Sequence, residues 1–596
     1  MTRQKETTSA GIPRSFARLI NIGIALSVER NHDRLMEMIL SEAMDICSAD
    51  GGALYLLEDG KHLKFEILRT TSLNKAEGGT TGREITFPPL PLHDPESGEP
   101  NHQNVCTHVA LSGQSVNIPD AYESEEFDFS GTKKFDQGTG YRSKSFLTVP
   151  LKNHDGDVIG VLQLLNAQDR ETGEVIPFSK TVQPLVDALS SQAAVALDNQ
   201  LLLEAQKNLL DSFIELIAGA IDAKSPYTGG HCQRVPELSM MLADAACESD
   251  ALPFKDFDLT EEERYELNIA SLLHDCGKVT TPEFVVDKAT KLETIHDRIH
   301  EVRMRFEVLK RDAVIESLEA KLKGEREAGQ IEQELAERLA KLDEEFAFIA
   351  EANIGGEFMA PERVEQVKEI ANRTWQRTMD DRLGVSHEDL KRMERTPRKD
   401  LPATENLLFD KEEHIFPREP DPRYQDGNKF GFKVDVPEHL YNRGEIYNLS
   451  IPRGTLTVED HFKIKDHIMQ TIMMLEQLPF PKHLERVPEY SGGHHETMIN
   501  TGYPKKLGKD DMTIPARIMA VADIFEALTA ADRPYKKAKK LSESIKILSF
   551  MKKDEHIDPD VFELFLKSGV YKKYAEKFLL PKQIDDVDIE QYLSGE

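Results

Sequence analysis

Residues 491–504 read SGGHHETMINTGYP and place two histidines side by side ahead of a glycine-led turn. Adjacent imidazoles make poor core residues, because a buried polar ring needs hydrogen-bond partners for its nitrogens. Imidazole is also the commonest metal ligand that a protein offers. The stretch therefore raises the question of which groups His494 and His495 contact, and other metal-ligating residues in the sequence are the candidates.

Four other segments also concentrate histidine and aspartate. Asp275 follows the apolar residues Leu272 and Leu273, and Asp523 ends the apolar run of residues 519–522. Both carboxylates are therefore expected to be buried, which is costly unless they are paired or bind a metal. The segments are TGGHCQRV (228–235), IASLLHDCGKV (269–279), GTLTVEDHFKIKDHIM (454–469) and PARIMAVADIFEALTAADRPYKK (515–537).

Two carboxylates and five imidazoles need a shared compensating charge, which divalent cations provide. One carboxylate can bridge two ions, and imidazole ligands favour iron, manganese or zinc over magnesium or calcium. Two ions about 3.5–4 Å apart form a usual geometry for in-line phosphodiester hydrolysis. The pattern predicts a binuclear hydrolase site with two divalent ions, iron or manganese.

The stretch 491–504 and the four other segments, taken in chain order, closely resemble an HD-GYP domain, a branch of the HD phosphohydrolase superfamily. The resemblance covers about residues 210–290 and 453–590 and implies a helical domain that hydrolyses cyclic di-GMP. It implies that Asp275 bridges the two ions and that Lys278 contacts the substrate phosphate and assists the leaving oxygen. The implied ligands are His231, His274, Asp275 and Asp523 for one ion and His467, His494 and His495 for the other; the implied substrate contacts are Gly502, Tyr503, Pro504, Arg533 and Lys536.

The sequence departs from this family in three places. Tyr227 stands where three-metal members carry a glutamate, which predicts two ions. Ile499 and Asn500 replace the usual residues before the GYP turn, and Asn tolerates the positive φ that such a turn needs. About 165 residues, 289–453, interrupt the domain.

The insertion leaves an alternative assignment for one ligand. Its first residues offer His296 and His300 as rivals to His467. We prefer His467, because it keeps the family spacing of eleven residues from Leu456. The first part of the insertion predicts a long helical hairpin that bends near KGEREAGQ (323–330), and the Pro- and Asp-rich later part predicts irregular structure. Its role as a lid, a dimer arm, a partner surface or a passive arm stays open.

The N-terminal third has a different pattern. A helical stretch is followed by alternating strand-like segments with EDGK (58–61) and HDGD (154–157) as hairpin turns, and then by one long helix. GGALYLLE, GYRSKSFLTVPL and VIGVLQLLNAQ make residues 14–200 resemble a GAF sensor domain. Since Ala167 follows Asn166 where cyclic-nucleotide-binding members carry lysine, we assign no cyclic nucleotide to it and leave its small ligand unknown.

These patterns predict a multidomain fold: an α+β GAF domain, a linking helix and an all-α HD-GYP domain interrupted by a mainly helical insertion. Val195, Leu202, Leu209 and Leu216 recur every seven residues, as in a coiled-coil seam, which predicts a homodimer; packing of this helix on its own domain is the alternative. The predicted ranges are 1–13 flexible, 14–200 GAF, 201–222 linker helix, 223–288 and 454–596 HD-GYP, and 289–453 insertion.

The composition restricts the expected binding partners and the expected cellular compartment of the protein. The net charge of −31 disfavours a nucleic-acid polymer as partner. No apolar run approaches the ~18 residues of a membrane span, and the N-terminus lacks the apolar region of a secretory signal. The five scattered cysteines suit a reducing compartment, so a cytoplasmic location is expected.

The resulting functional hypothesis is a GAF-regulated phosphodiesterase that cleaves cyclic di-GMP to pGpG; whether a second cleavage to GMP follows stays open. Two alternatives remain: a hydrolase of another cyclic dinucleotide or nucleotide, and a receptor that binds cyclic di-GMP without cleaving it.

Overall fold

A computed structural model of the chain describes residues 14–224, 230–324, 326–356, 358–531 and 538–593. The chain divides into two compact units, residues 1–211 and 212–596. In the described residues, no helix combines the length and the apolar character of a membrane span.

The first unit is an antiparallel sheet between two layers. Its strands are ordered β3-β2-β1-β7-β6-β5, with β4 beside β2 and β8 beside β7. The strands are β1 Ala49–Glu58, β2 His62–Thr70, β3 Lys75–Gly78, β4 Leu90–Pro91, β5 Val116–Ile118, β6 Phe146–Lys152, β7 Val158–Gln168 and β8 Val175–Ile176. The helices are α1 Arg14–Val28, α2 His32–Cys47, α3 Val105–Ser112, α4 Ser130–Thr139 and α5 Gln183–Lys224, the last of which continues into the second unit.

Strand alternation divides the core of this unit between the two faces of the sheet. Leu54 of β1 packs in the cluster that contains α1, α2 and α5, whereas its neighbours Ala53 and Tyr55 pack in the cluster that contains α3. Successive side chains of a strand point to opposite faces. The two predicted hairpins lie at EDGK, between β1 and β2, and at HDGD, between β6 and β7. This α+β layout is the predicted one.

Helix α5 runs for 42 residues without a break, as the sequence predicts. The four residues of the predicted seam lie on its surface: Val195, Leu202, Leu209 and Leu216 are 46%, 54%, 57% and 66% exposed.

The second unit is mainly helical. Helices α6 His231–Cys247, α7 Glu261–Leu273 and α8 Glu283–Val286 precede the insertion. Within it lie α9 Ile299–Lys323, α10 Ala328–Ile354, α11 Pro361–Ala371, β9 Thr374–Arg377, α12 His387–Met393, β10 Ala403–Asn406, β11 Ile415–Pro417, β12 His439–Asn442 and α13 Glu445–Leu449. After it come α14 Val458–Leu475, α15 Val487–Gly493, α16 Ile514–Thr529, α17 Leu541–Lys553, α18 Pro559–Lys567, α19 Val570–Phe578 and α20 Glu590–Leu593.

Helices from both sides of the insertion form one core. α6 packs on α7 and α16, and α15 packs on α7, α14 and α16. Capping boxes begin α7 at Thr260 and α14 at Thr457, where each hydroxyl accepts a backbone N–H and a carboxylate three residues later accepts the N–H of the cap. These helices carry the candidate ligands into one place.

The insertion begins and ends at the same point of this core. Thr455 Oγ1 donates to Lys288 O at 2.9 Å, and Lys291 Nζ donates to Leu449 O and Ile451 O. Lys291 is 1% exposed, and burial lowers its pKa to about 8. An insertion with adjoining ends adds little loop-closure cost to the folding of the domain around it.

The insertion itself differs in part from expectation. Its helical hairpin is formed by α9 and α10, and the bend lies within KGEREAGQ as predicted. The later part, which the sequence predicts to be irregular, contains two small antiparallel sheets, β9 with β10 and β11 with β12. Strands of three or four residues are too short to give a period-two signal in the sequence.

Candidate metal centre

Four predicted ligands meet between α6, α7 and α16. His231 begins α6, His274 and Asp275 follow the last residue of α7, and Asp523 lies within α16. One ligand atom from each of the four lies within 4.8 Å of the others. His231 Nε2 is 3.2 Å from Asp275 Oδ2 and 3.3 Å from Asp523 Oδ1. We call these four residues the first group.

The other three predicted ligands form a second group: His467 of α14 with His494 and His495 at the end of α15. His467 Nε2 is 3.2 Å from His495 Nε2. Asp275 joins the two groups, because its Oδ1 is 3.3 Å from His467 Nε2 while its Oδ2 faces His231 and His274. All seven predicted ligands thus converge around one bridging carboxylate.

The orientation of these imidazoles is set by partners at Nδ1. The Nδ1–H groups of His274, His467 and His494 can each donate to the carbonyl oxygen three residues earlier. His231 Nδ1 instead contacts Glu526 Oε2. A hydrogen bond at Nδ1 leaves Nε2 with its lone pair, which is the arrangement found in metal-binding histidines.

The ring nitrogens that face the centre fit a cation. His494 Nε2 is buried without a hydrogen-bond partner. His467 and His495 bring two Nε2 atoms to 3.2 Å, and His231 Nε2 lies among carboxylate oxygens. Lone pairs at these distances repel unless a proton or a cation lies between them, so the donor set suits divalent ions coordinated by nitrogen and oxygen.

The two groups differ in electrostatics. Burial disfavours charge on His274, but the Asp275 and Asp523 carboxylates outweigh it and raise the pKa of His274 to about 9. Burial and the charge of His274 lower the pKa of His494 to about 4, and burial with His494 lowers the pKa of His495 well below its usual range. The first group therefore favours an added positive charge, and in the second group His494 and His495 are neutral near neutral pH.

Lys278 lies at the edge of the first group, on a 3₁₀ turn of residues 276–280 rather than on a continuation of α7, which ends at Leu273. From this turn Lys278 Nζ pairs with Asp275 Oδ2. Burial disfavours its charge, but Asp275 and Asp523 raise its pKa above the ordinary value, so Lys278 is protonated.

Two glycines allow close packing at the centre. A Cβ at Gly277 would lie 1.9 Å from His467 O, and a Cβ at Gly502 would lie 2.4 Å from Glu496 Cα. Only glycine lets the backbone approach this closely. Asn500 adopts φ 62°, as the sequence analysis allowed, and the Tyr503 ring stacks on His495 with centroids 4.8 Å apart. The Gly502, Tyr503, Pro504 turn thus lies beside the second group.

The rivals to His467 lie elsewhere. The side chain of His296 is 64% exposed and contacts Glu301, and His300 is exposed beside Arg303. Neither belongs to the two groups. Three further predicted positions, Tyr227, Arg533 and Lys536, lie outside the described residues.

Sequence reasoning missed three residues around the centre, which are Glu526, Arg234 and Glu496. Glu526, which is 0% exposed, contacts His231 through one carboxylate oxygen and Arg234 Nε through the other, the latter at 2.7 Å. Glu496 accepts hydrogen bonds from Lys505 N and Leu507 N and so holds the loop after the GYP turn. The spacing of Glu526, three residues after Asp523 on the same helix face, was the available signal.

Comparison with known families agrees with this architecture. Residues 31–197 match the GAF domain and residues 402–561 match the HD domain. The chain therefore carries an N-terminal GAF domain and a C-terminal HD domain, and both assignments of the sequence analysis are confirmed at this level.

Curated relatives are similar over part of their length. The Dual 3′,5′-cyclic-AMP and -GMP phosphodiesterase 11 of Drosophila melanogaster is 32% identical over 174 residues, 27% of this chain and 11% of that protein. The 3′3′-cGAMP-specific phosphodiesterase 1 of Vibrio cholerae is 30% identical over 150 residues, 24% of this chain and 34% of that protein. The chain thus covers a minor part of either relative.

Among solved structures, the GAF domain from an Acinetobacter phosphoenolpyruvate-protein phosphotransferase is similar to 33% of this chain, with 99% of its own length covered. Its sequence identity is 15% and its TM-score 0.24.

Proposed function

We propose that this protein is a metal-dependent phosphodiesterase that hydrolyses cyclic di-GMP, with its GAF domain as the regulatory input. The proposed product is linear pGpG, and product analysis over time decides whether it is cleaved further to GMP. The observation that carries the proposal is the pair of ligand groups joined by Asp275, which suits two ions acting on one phosphate. The phosphodiesterase names of the two curated relatives support the same reaction class.

The proposed cofactors are two divalent ions, iron or manganese, held by the first and second groups. Ions bound there supply activated water and neutralise the charge that develops on the phosphate oxygens. The number two rests on Tyr227, which offers no carboxylate for a third ion.

The side chains of the protein then orient the substrate and move a proton. Lys278 is protonated and lies against Asp275, so we assign to it the donation of a proton to the leaving 3′ oxygen as the bond from phosphorus to that oxygen breaks. Tyr503, stacked on His495, lines the mouth of the site together with Gly502 and Pro504. We retain Arg533 and Lys536 as proposed phosphate contacts, from the family resemblance.

Hydrolysis by the full chain tests this function. We expect protein purified anaerobically to hold two ions per chain and to convert cyclic di-GMP to pGpG. Failure to turn over with two ions bound and Fe²⁺ or Mn²⁺ supplied would contradict it, and tight binding without product would favour the receptor alternative. Three tightly held ions would contradict the binuclear assignment.

A second candidate substrate is 3′3′-cGAMP, because a curated relative is named for its hydrolysis. It differs from cyclic di-GMP in one base, and ions held by the two groups would act on a phosphate, which both dinucleotides share. Comparison of kcat/KM for the two dinucleotides under identical metal loading decides between them.

We further propose that the chain is a homodimer. Its seam residues on α5 are exposed, and α1 and α5 border a groove of about 1160 Å³ whose apolar lining includes Ile20, Ile24, Val28, Val195 and Leu203. A second copy would cover these surfaces as two helices cover each other in a coiled coil. Light scattering is expected to give twice the chain mass of 67.4 kDa, and a monomeric mass at micromolar concentration would contradict the proposal.

A further inference from the structure

One segment of the insertion reaches the mouth of the metal centre. Residues 424–436, which we call the strap, lead from the end of a 3₁₀ turn toward β12 and pack on α14. Phe432 of the strap is 4% exposed and shares an apolar cluster with Phe462, Ile468, Met469 and Ile472; the Tyr503 ring packs against the same cluster. The strap is therefore fixed to the helix that carries His467.

Polar contacts tie the strap to both sides of the second group. Tyr424 OH donates to Asp466 Oδ1 at 2.7 Å, and Asp466 directly precedes His467. Lys433 N donates to Pro504 O, also at 2.7 Å. A strap held at both places restrains the GYP turn relative to α14. Both contacts come from residues of the predicted insertion, 289–453.

The same region collects cations in an acidic protein. Lys465 Nζ lies 5.1 Å from the centroid of the Tyr503 ring, and that ring stacks on His495. Lys433 and Lys505 flank the backbone bond that joins the strap to the GYP turn. Within the described part of the chain, the ammonium groups of Lys433 and Lys465 form no ion pair with a carboxylate, whereas Lys505 lies near Glu496, whose carboxylate accepts from the Lys505 backbone. In a chain with a net charge of −31, the unpaired ammonium groups of Lys433 and Lys465 form a local positive site that suits an anionic ligand.

A cyclic dinucleotide has a feature that matches this arrangement. It carries two phosphates, of which one is cleaved at the metal centre and the other must be placed at a distance from it. An ammonium group can form a charge-assisted hydrogen bond to that second phosphate. A small phosphodiester with a single phosphate would not use such a contact.

We propose that the strap and Lys465 form a subsite for the second phosphate, in which the strap positions the Tyr503–Pro504 turn and Lys465 contacts the phosphate. The subsite makes the centre selective for cyclic dinucleotides over single-phosphate diesters. This inference rests on the proposed phosphodiesterase function and adds to it the element that selects the substrate.

Two variants and two substrates test the subsite in the full chain. Lys465→Gln is expected to raise KM for cyclic di-GMP about tenfold, the size of one charge-assisted hydrogen bond, and to leave kcat within twofold. Tyr424→Phe, which releases one end of the strap, is expected to raise the same KM about threefold. Hydrolysis of bis(4-nitrophenyl) phosphate and the metal content are expected to stay unchanged in both.

Tyr447→Phe is the matched control. Tyr447 OH donates to Glu459 Oε2 at 3.2 Å at another contact between the insertion and α14, so this variant also removes one hydroxyl from the same interface. Its KM for cyclic di-GMP is expected to equal that of the wild type. An equal rise in this control would overturn the assignment of the subsite to the strap.

The remaining outcomes separate the subsite from the function itself. An unchanged KM in Lys465→Gln, or an equal loss on both substrates, would overturn the subsite and leave the phosphodiesterase in place. If the wild type holds its ions but cleaves neither substrate, the proposed function fails. The dissociation constant for cyclic di-GMP, measured by calorimetry, then tests the subsite separately. It is expected to be about tenfold higher in Lys465→Gln than in the wild type. An unchanged constant would overturn the subsite.

Discussion

Asp275→Asn is expected to empty both ligand groups and to lower phosphodiesterase activity by about 10³-fold, the size of effect that follows loss of one preorganised electrostatic group. Asp275 offers one oxygen to His231 and His274 and the other to His467. An amide nitrogen cannot replace a carboxylate oxygen as a ligand, and the bridging charge is lost. Metal analysis should fall from two ions per chain to fewer than one.

Thermal unfolding distinguishes this loss of ions from loss of the fold. Wild-type protein stripped of metal should gain melting temperature when Mn²⁺ is added, because an ion that binds only the folded state stabilises it, and Asp275→Asn should not. Asp558→Asn is the control, since Asp558 is a buried carboxylate paired with Arg517 outside the two groups. It should lower the melting temperature and keep both ions. Two retained ions in Asp275→Asn would contradict the bridging assignment.

The convergence of the seven ligands could be predicted because each ligand lies in a short segment with its own pattern. Asp275 and Asp523 each follow an apolar run, which indicates a buried carboxylate, and His494 and His495 are adjacent. The spacing from Leu456 was sufficient to prefer His467 over the two histidines of the insertion. The hairpin turns, the long α5 helix and the α9–α10 hairpin followed in the same way from turn residues and periodicity.

Contacts between residues that are far apart along the chain could not be predicted from the sequence. Glu526 and His231 are 295 residues apart, and no periodicity links them. The 3₁₀ turn that carries Lys278 depends on the close approach of Gly277 to α14, which is a tertiary contact. The strap reaches Pro504 through the backbone of Lys433, and a backbone hydrogen bond leaves no mark on side-chain identity.

His231 of the first group is supported differently from His274, His467 and His494, which each contact the carbonyl three residues earlier. In the second group, His467 and His494 are each oriented by a carbonyl of their own helix, so local backbone geometry is sufficient. In the first group, His231 begins its helix and has no such carbonyl, and its Nδ1 contacts the carboxylate of Glu526 instead. The first group should therefore be the one that is sensitive to a residue outside the ligand set.

Glu526→Gln is accordingly expected to weaken metal binding at the first group by 10- to 100-fold, the usual effect of losing the partner of a metal-binding histidine. The amide keeps the shape of the side chain, but Arg234 and His231 both present donors and Gln has one oxygen for the two. His231 then loses the contact that fixes its ring. Competition with a chromophoric chelator measures this affinity directly, and the second group should keep its own.

Glu266→Gln provides the matched control for a buried carboxylate. Glu266 is 4% exposed and accepts from Arg486 N in the same helical domain, away from the ligands. This variant is expected to retain wild-type metal affinity at both groups. In Glu526→Gln, excess Mn²⁺ should restore cleavage of cyclic di-GMP, because the ligands themselves are intact. Wild-type affinity in this variant, or activity that no concentration of metal restores, would show that Glu526 does not act by positioning His231.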